Sequence, residues 1–153
     1  MSAEARLKEL GLELPVPPKP MAVYKSVVVV GNIAYVSGHG PMRHDKSFII
    51  GRVGDELTEE QGKEAARFTG LGILATLRNH LGSLDRVVRV VKLLGMVYAT
   101  PEFENQPEVI NGCSELFKEV FGDAGVGARS AVGMGSLPGR IAVEIEGIFE
   151  IQP

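Results

Sequence analysis

Arg129 sits in a run, Ala128-Arg129-Ser130-Ala131-Val132-Gly133, that otherwise lacks charge, and a strand-like segment shortly after it carries Glu144 and Glu146. In a sheet, an arginine flanked by alanine, valine and glycine cannot easily keep its guanidinium hydrated. A buried charge left without partners is destabilising by several kcal/mol, so an anionic group is expected to meet it. One possibility is Glu144 or Glu146 across neighbouring strands, a structural ion pair worth about 0.2–1 kcal/mol when exposed. The other is the carboxylate of a small substrate. Guanidinium presents two parallel donors matched to that geometry, and Glu144 would then handle a proton or a water.

Other reactive side chains are scattered. His39 lies in Ser37-Gly38-His39-Gly40-Pro41, where glycines let a ligand approach the backbone closely, or where a histidine simply occupies a surface turn. His39 and His44 share a loop without standard ligand spacing, His80 falls at a helix end, and the single cysteine, Cys113, lies on an apolar helical face, so no metal site is expected. Cys113 reads as a core filler and not as a nucleophile. The glycine clusters Gly122 to Gly127 and Gly133 to Gly135 lack the lysine-serine or lysine-threonine ending of a phosphate loop. Asn111-Gly112 is anomalous inside a helical pattern, since both residues are poor helix formers; a helix that starts after them would remove the anomaly.

The 153 residues are 44% hydrophobic and 23% charged, which fits one globular domain preceded by a short extension: residues 1–21 as an N-terminal helix and proline-rich arm, residues 22–153 as the domain. A net charge of −3 offers no global field for phosphates, which argues against nucleic acid as the main partner. No stretch approaches the roughly 18 apolar residues of a membrane span. One cysteine and a charged N-terminus point to a reducing, cytoplasmic setting without membrane association.

The elements that must position these residues follow from periodicity. Leu7 and Leu10 suggest a helix over residues 3–10, with Pro15, Pro17, Pro18 and Pro20 forming an extended arm. Residues 22–30 and 33–37 are β-branched runs around Gly31-Asn32, a hairpin signal, and a weak strand is expected near residues 48–50. Thr58-Glu59-Glu60-Gln61 is a capping box opening a long amphipathic helix that stops at Gly82. Residues 86–99 are apolar on both parities, as in a central strand covered on each side. A second long helix is expected over residues 106–121, and residues 128–135 and 140–151 are expected to close the fold as a hairpin around Leu137-Pro138-Gly139. In that last strand Ile141, Val143, Ile145, Phe149 and Ile151 should face the helices, leaving Ala142, Glu144, Glu146, Ile148 and Glu150 on the other side. The order is that of an α+β sandwich, a mixed sheet with two helices packed on one face.

Ser37-Gly38-His39-Gly40-Pro41, Asn111 ahead of Glu115-Leu116-Phe117, Ala128-Arg129-Ser130-Ala131-Val132, and Leu137-Pro138 followed by Val143-Glu144-Ile145-Glu146 together resemble the YjgF or reactive intermediate deaminase (Rid) family. The likeness is greatest to its longer, proline-extended branch labelled endoribonuclease L-PSP-like. The resemblance implies a chorismate-mutase-like fold, a homotrimer whose sheets form a barrel, and clefts between subunits. It also implies cofactor-independent hydrolysis of enamines or imines such as 2-aminoacrylate to a 2-keto acid and ammonia. On this likeness Arg129 holds the substrate carboxylate and Glu144 orients water or shuttles a proton, with the Ala131 carbonyl helping; Tyr24, Gly38, His39 and Asn111 line the cleft. His39 and Ala131 stand where glutamine and cysteine are usual, and Gly127 where the branch has histidine. Two other functions fit the same residues: a trimer that binds or senses small carboxylates without turnover, and an endoribonuclease.

Overall fold

A computed structural model describes residues 1–153. The elements are α1 (Ala3–Glu9), β1 (Val27–Val30), β2 (Ile33–His39), α2 (Glu59–Leu81), β3 (Val87–Tyr98), α3 (Gln106–Phe121), β4 (Ala128–Met134) and β5 (Val143–Ile151). The strands make one mixed sheet in the order β1-β2-β5-β3-β4, with α2 and α3 packed together on one face.

The local signals that rest on side-chain chemistry appear as expected. The β1–β2 hairpin turns at Gly31-Asn32, with Val30 opposite Ile33 and Gly31 at φ +62°. The capping box is formed: the Thr58 N–H donates to Gln61 Oε1 (2.8 Å) and the Gln61 N–H to Thr58 Oγ1 (3.1 Å). Gly82 ends α2 at φ +87°. The first strand is shorter than the apolar run suggests: it starts at Val27, and ahead of it only the Ser37 N–H bond to the Ser26 carbonyl extends the contact with β2. No strand forms at residues 48–50, where only the isolated bridges Met42–Phe48 and Ile50–Ile141 occur.

The expected closing hairpin does not form. β4 runs parallel to β3, with Arg129 opposite Leu93, while β5 is inserted antiparallel between β2 and β3, with Glu144 opposite Met96. Parallel neighbours need a long crossover, and the β3–α3–β4 segment supplies one through a helix. The turn at Pro138–Arg140, with Gly139 and Arg140 at φ +62° and +58°, therefore carries the chain past the end of β3 and does not reverse it onto β4.

On the helix side of the sheet Val143, Ile145, Phe149 and Ile151 are buried, and Phe149 meets Phe117 edge-on at 5.9 Å between ring centres; the alternation starts only with β5 at Val143, so Ile141 is partly exposed and Ala142 buried ahead of it. The opposite face carries Glu144, Glu146 and Glu150 among Tyr35, Ile148, Leu94, Met96 and Val132. Within one chain no element covers that face, and Val28, Val30, Tyr35 and Val132 are exposed there. The expectation that β3 is covered on both sides is thus met on one side only.

The N-terminal segment belongs to the helix layer. Leu7 is buried, both Glu4 carboxylate oxygens accept from Arg78 at 3.2 Å, and Arg6 Nε donates to the Glu119 carbonyl (2.9 Å). The two long helices approach closely at Gly112, where a Cβ would collide with the Lys63 carbonyl. Gly112→Ala should therefore lower stability by about 1–2 kcal/mol, because overpacking outweighs the ~1 kcal/mol that alanine gains in helix propensity; urea unfolding of the two proteins measures the sign.

Candidate functional site

Arg129 projects from edge strand β4 on the helix side of the sheet, over the first turns of α3. Its Nη1 donates to Asn111 Oδ1 (2.7 Å) and Ser114 Oγ (3.1 Å), and Nη2 makes a long contact to the Pro107 carbonyl (3.4 Å). All three acceptors are neutral. No carboxylate lies within 4.0 Å of this guanidinium, and its Nε takes no protein acceptor. Ala131, two residues on, shares the helix side and packs against the core. Cys113 is fully buried beneath this region; its burial pushes the thiol above its usual range more than the Arg129 charge lowers it, so it is no nucleophile at neutral pH.

The anomalous Asn111-Gly112 pair is now accounted for. The helix does not begin after them: it starts at Gln106, with Pro107 in its first turn, and both residues lie inside it. Asn111 gives up helix propensity to present Oδ1 to Arg129, while its Nδ2 donates to Glu108 (3.3 Å). Gly112 admits the α2 backbone. Ser114 was not anticipated from sequence, although its position three residues after Asn111 puts it on the same helical face. Gly127, just ahead of this strand, presses on the Val90 carbonyl, which leaves no room for any side chain at that position.

A second group gathers elsewhere. Glu144 lies on the open face of β5, and its carboxyl passes directly over Gly38, where a Cβ would stand 2.9 Å from Glu144 Cδ and 3.1 Å from Cγ. Partial burial and, second, the neighbouring Glu146 raise the Glu144 pKa above the ordinary carboxylate range. Tyr24 is half-exposed in the bend before β1, alongside the end of β2 that Ser37 ties down by donating to the Ser26 and Lys25 carbonyls. It lines a cavity of about 320 Å³ with Pro17, Lys25 and Asn79, and that cavity includes neither Arg129 nor Glu144.

His39 is placed differently from the expectation that it lines a cleft. It is buried against α2, with Nδ1 2.6 Å from the Ser37 carbonyl and Nε2 2.7 Å from Thr76 Oγ1. A carbonyl can only accept, so Nδ1 carries the proton and Nε2 accepts from the threonine hydroxyl. Burial lowers its pKa against the opposing effect of the Ser37 bond, so the ring is neutral and structural. No group of three or more His, Cys, Asp or Glu residues is gathered as a metal site would need.

The expected site residues thus fall into two groups. Arg129, Asn111 and Ala131 share the β4 edge; Glu144 and Gly38 share the open face, with Tyr24 near the β1 edge. An ion pair between Arg129 and Glu144 or Glu146 does not exist, because β3 separates their strands and the side chains leave opposite faces. β5 lies two strand spacings from β4, about 10 Å, and β1 four, about 19 Å. Within the chain, Arg129 and Glu144 stand on opposite faces of the sheet and do not meet.

A family described as "YjgF/chorismate mutase-like, putative endoribonuclease" matches residues 4–140. The chain is 40% identical over 148 residues to "Protein TCP17" of Trypanosoma cruzi, spanning 96% of this chain and 92% of that one. It is 44% identical to protein Atu1372, of unknown function, from Agrobacterium tumefaciens, with a TM-score of 0.90 over 98% of this chain and 92% of that one. Its similarity to RidA from the Antarctic bacterium Psychrobacter sp. is 25% identity, with a TM-score of 0.62 over 89% and 94% of the two chains.

The raised pKa of Glu144 has a thermodynamic consequence. Folded protein holds that proton to higher pH than the unfolded chain does, so its stability falls as pH rises through that window. Glu144→Gln should match wild type at acid pH and become the more stable of the two towards neutral pH, as read from urea midpoints at both.

Proposed function

The chain belongs to the YjgF/chorismate mutase-like family, and on that premise we propose that it hydrolyses small 2-carboxylated imines or enamines to a 2-keto acid and ammonia, at sites shared between copies of itself. The observation that carries this reading is Arg129, a guanidinium fixed by neutral oxygens with its Nε and charge unclaimed by the protein. A carboxylate with two oxygens suits what remains of that fork.

The chemistry needs little more than placement. Water adds to the imine carbon as the C=N π bond opens, the resulting carbinolamine expels ammonia, and the carbon is left as C=O; an enamine first takes a proton at its β-carbon. Glu144, whose raised pKa lets it hold and release a proton nearer neutral pH, takes the proton from the attacking water and delivers one to the departing nitrogen. Fixing the carboxylate also fixes the imine carbon relative to this water. Because Arg129 and Glu144 of one chain leave opposite faces, the Glu144 that serves each Arg129 comes from a neighbouring copy, together with its Gly38 and Tyr24. The exposed apolar face carrying Tyr35, Val28, Val30 and Val132 is the surface such an assembly covers, and a homotrimer satisfies the arrangement by placing one cleft at each interface.

Arg129→Ala should abolish acceleration of 2-aminoacrylate hydrolysis, followed as ammonia release, while the circular dichroism spectrum stays unchanged. If wild type never exceeds buffer but is stabilised thermally by 2-keto acids, the cleft binds without turnover. The acid limb of the pH–rate profile should lie above the ordinary glutamate range, since the carboxylate form is the one that accepts the water proton, and Glu146→Gln should move it down by removing a like charge. Inactive Arg129→Ala and Glu144→Gln chains, refolded together, should regain activity in about a quarter of sites, because a cleft uniting the intact half of each is complete; no recovery would place both residues in one chain's site.

A further inference from the structure

The puzzle in the Arg129 environment is why no internal carboxylate claims it. One is close at hand. Glu108, in the first turn of α3, accepts from Asn111 Nδ2 through Oε2 (3.3 Å), while Arg129 Nη1 donates to Oδ1 of the same side chain (2.7 Å). Carboxylate and guanidinium therefore stand at the two ends of a single amide. Half-exposed, the Glu108 carboxyl is not locked by packing, and the Arg129 charge acts on it and draws it towards the guanidinium. What opposes this is Lys63 on α2, whose Nζ donates to Glu108 Oε1 at 2.7 Å and lies 3.5 Å from Glu115 Oε2.

Several independent features support the arrangement. Gly112 lets the Lys63 backbone rest on α3, which brings the lysine into the gap between Glu108 and Glu115, seven residues apart along the helix and so on one face. The lysine is the less exposed partner, at 25% against 47% for Glu108. Its ammonium, followed by Asn111 and Arg129, holds the Glu108 carboxyl below the ordinary range, so Glu108 is ionised at neutral pH and is drawn to a nearby cation. Without Lys63 the strongest cation left within reach is Arg129.

Resting on the reading of Arg129 as a carboxylate-binding group, we propose that Lys63 is a positioning residue that keeps this guanidinium open to an external carboxylate, by holding Glu108 in a Lys63–Glu108–Asn111–Arg129 chain. Lys63 does not touch substrate. It sets affinity by removing an internal competitor, and Asn111 is oriented by the same chain: Glu108 fixes the amide nitrogen, which turns the amide oxygen to Arg129.

The test uses wild type, Lys63→Met, Lys63→Arg, the double variant Lys63→Met/Glu108→Gln, and Arg129→Ala, with two readouts. The first is the rate at which phenylglyoxal labels Arg129, followed by peptide mass spectrometry, which needs no ligand. The second is pyruvate binding by calorimetry, pyruvate being a 2-keto acid product of the proposed reaction. Lys63→Met should slow labelling and weaken pyruvate roughly twofold to fivefold, the range expected for one partly exposed charge pair. The double variant and Lys63→Arg should return both towards wild type, and kcat for imine hydrolysis should change less than KM. Unchanged labelling in Lys63→Met, or slowing that Glu108→Gln does not reverse, overturns the role of Lys63 whatever pyruvate does. If instead Arg129→Ala binds pyruvate as wild type does, the carboxylate-site reading fails while the labelling series still decides whether Lys63 restrains Glu108.

Discussion

A guanidinium carries its charge at any pH a protein meets, and Arg129 is given only neutral oxygens to share it with. Much of the local structure is arranged around that constraint. An asparagine stands in a helix interior where alanine would be more stable, a serine three residues on supplies a second acceptor, and the first turn of α3 lends a backbone carbonyl. Each of these orients the group without neutralising it. At the edge of a sheet, on the side packed by helices, the group is only partly exposed and its Nε has no acceptor within the chain, which leaves it open to an anion from outside.

Strand order then decides what else can take part. Had β4 and β5 formed a hairpin, Arg129 and the acids of β5 would have been cross-strand neighbours, and an internal ion pair would have been hard to avoid. Inserting β5 between β2 and β3 moves Glu144 two strands away and onto the other face. The fold thereby keeps an acid and a base apart in one chain, and leaves the acid on a face that also exposes valine and tyrosine side chains. Apolar surface of that kind is costly to leave in water, and on the proposed reading its burial against a second copy brings the separated groups within reach of each other.

The sequence made the elements legible because their signals are local: Gly31-Asn32 for the hairpin, the Thr58–Gln61 box and Gly82 for the ends of α2, period-two alternation for the two faces of β5. It misled where pairing between distant segments was at issue. Leu137-Pro138-Gly139 reads as a reversal, yet a βαβ crossover competes for the same edge of β3 and only the tertiary structure ranks them. Arg129 and Glu144 were visible as an isolated charge and an alternating acid, but their separation was not, since it depends on strand order. His39 shows the same limit in miniature. Nothing in Gly38-His39-Gly40 announces that the ring turns inward to Thr76, whose position in α2 lies 37 residues away.

On the proposed reading, in which a second copy juxtaposes the two groups, their electrostatics also bear on one another. Covering the open face removes water from Glu144 and pushes its pKa further in the direction that Glu146 already favours; bringing a neighbour's Arg129 near it acts the other way. These opposed effects need not balance at all stages of a reaction. In an empty cleft the guanidinium charge is unshared and favours the ionised acid. When a substrate carboxylate engages Arg129, that charge is largely neutralised, its pull on Glu144 weakens, and the proton affinity of Glu144 rises. On the proposed reading, binding the substrate at one end of the cleft therefore makes the acid at the other end a stronger base at the moment a water must lose its proton, without any movement of the backbone.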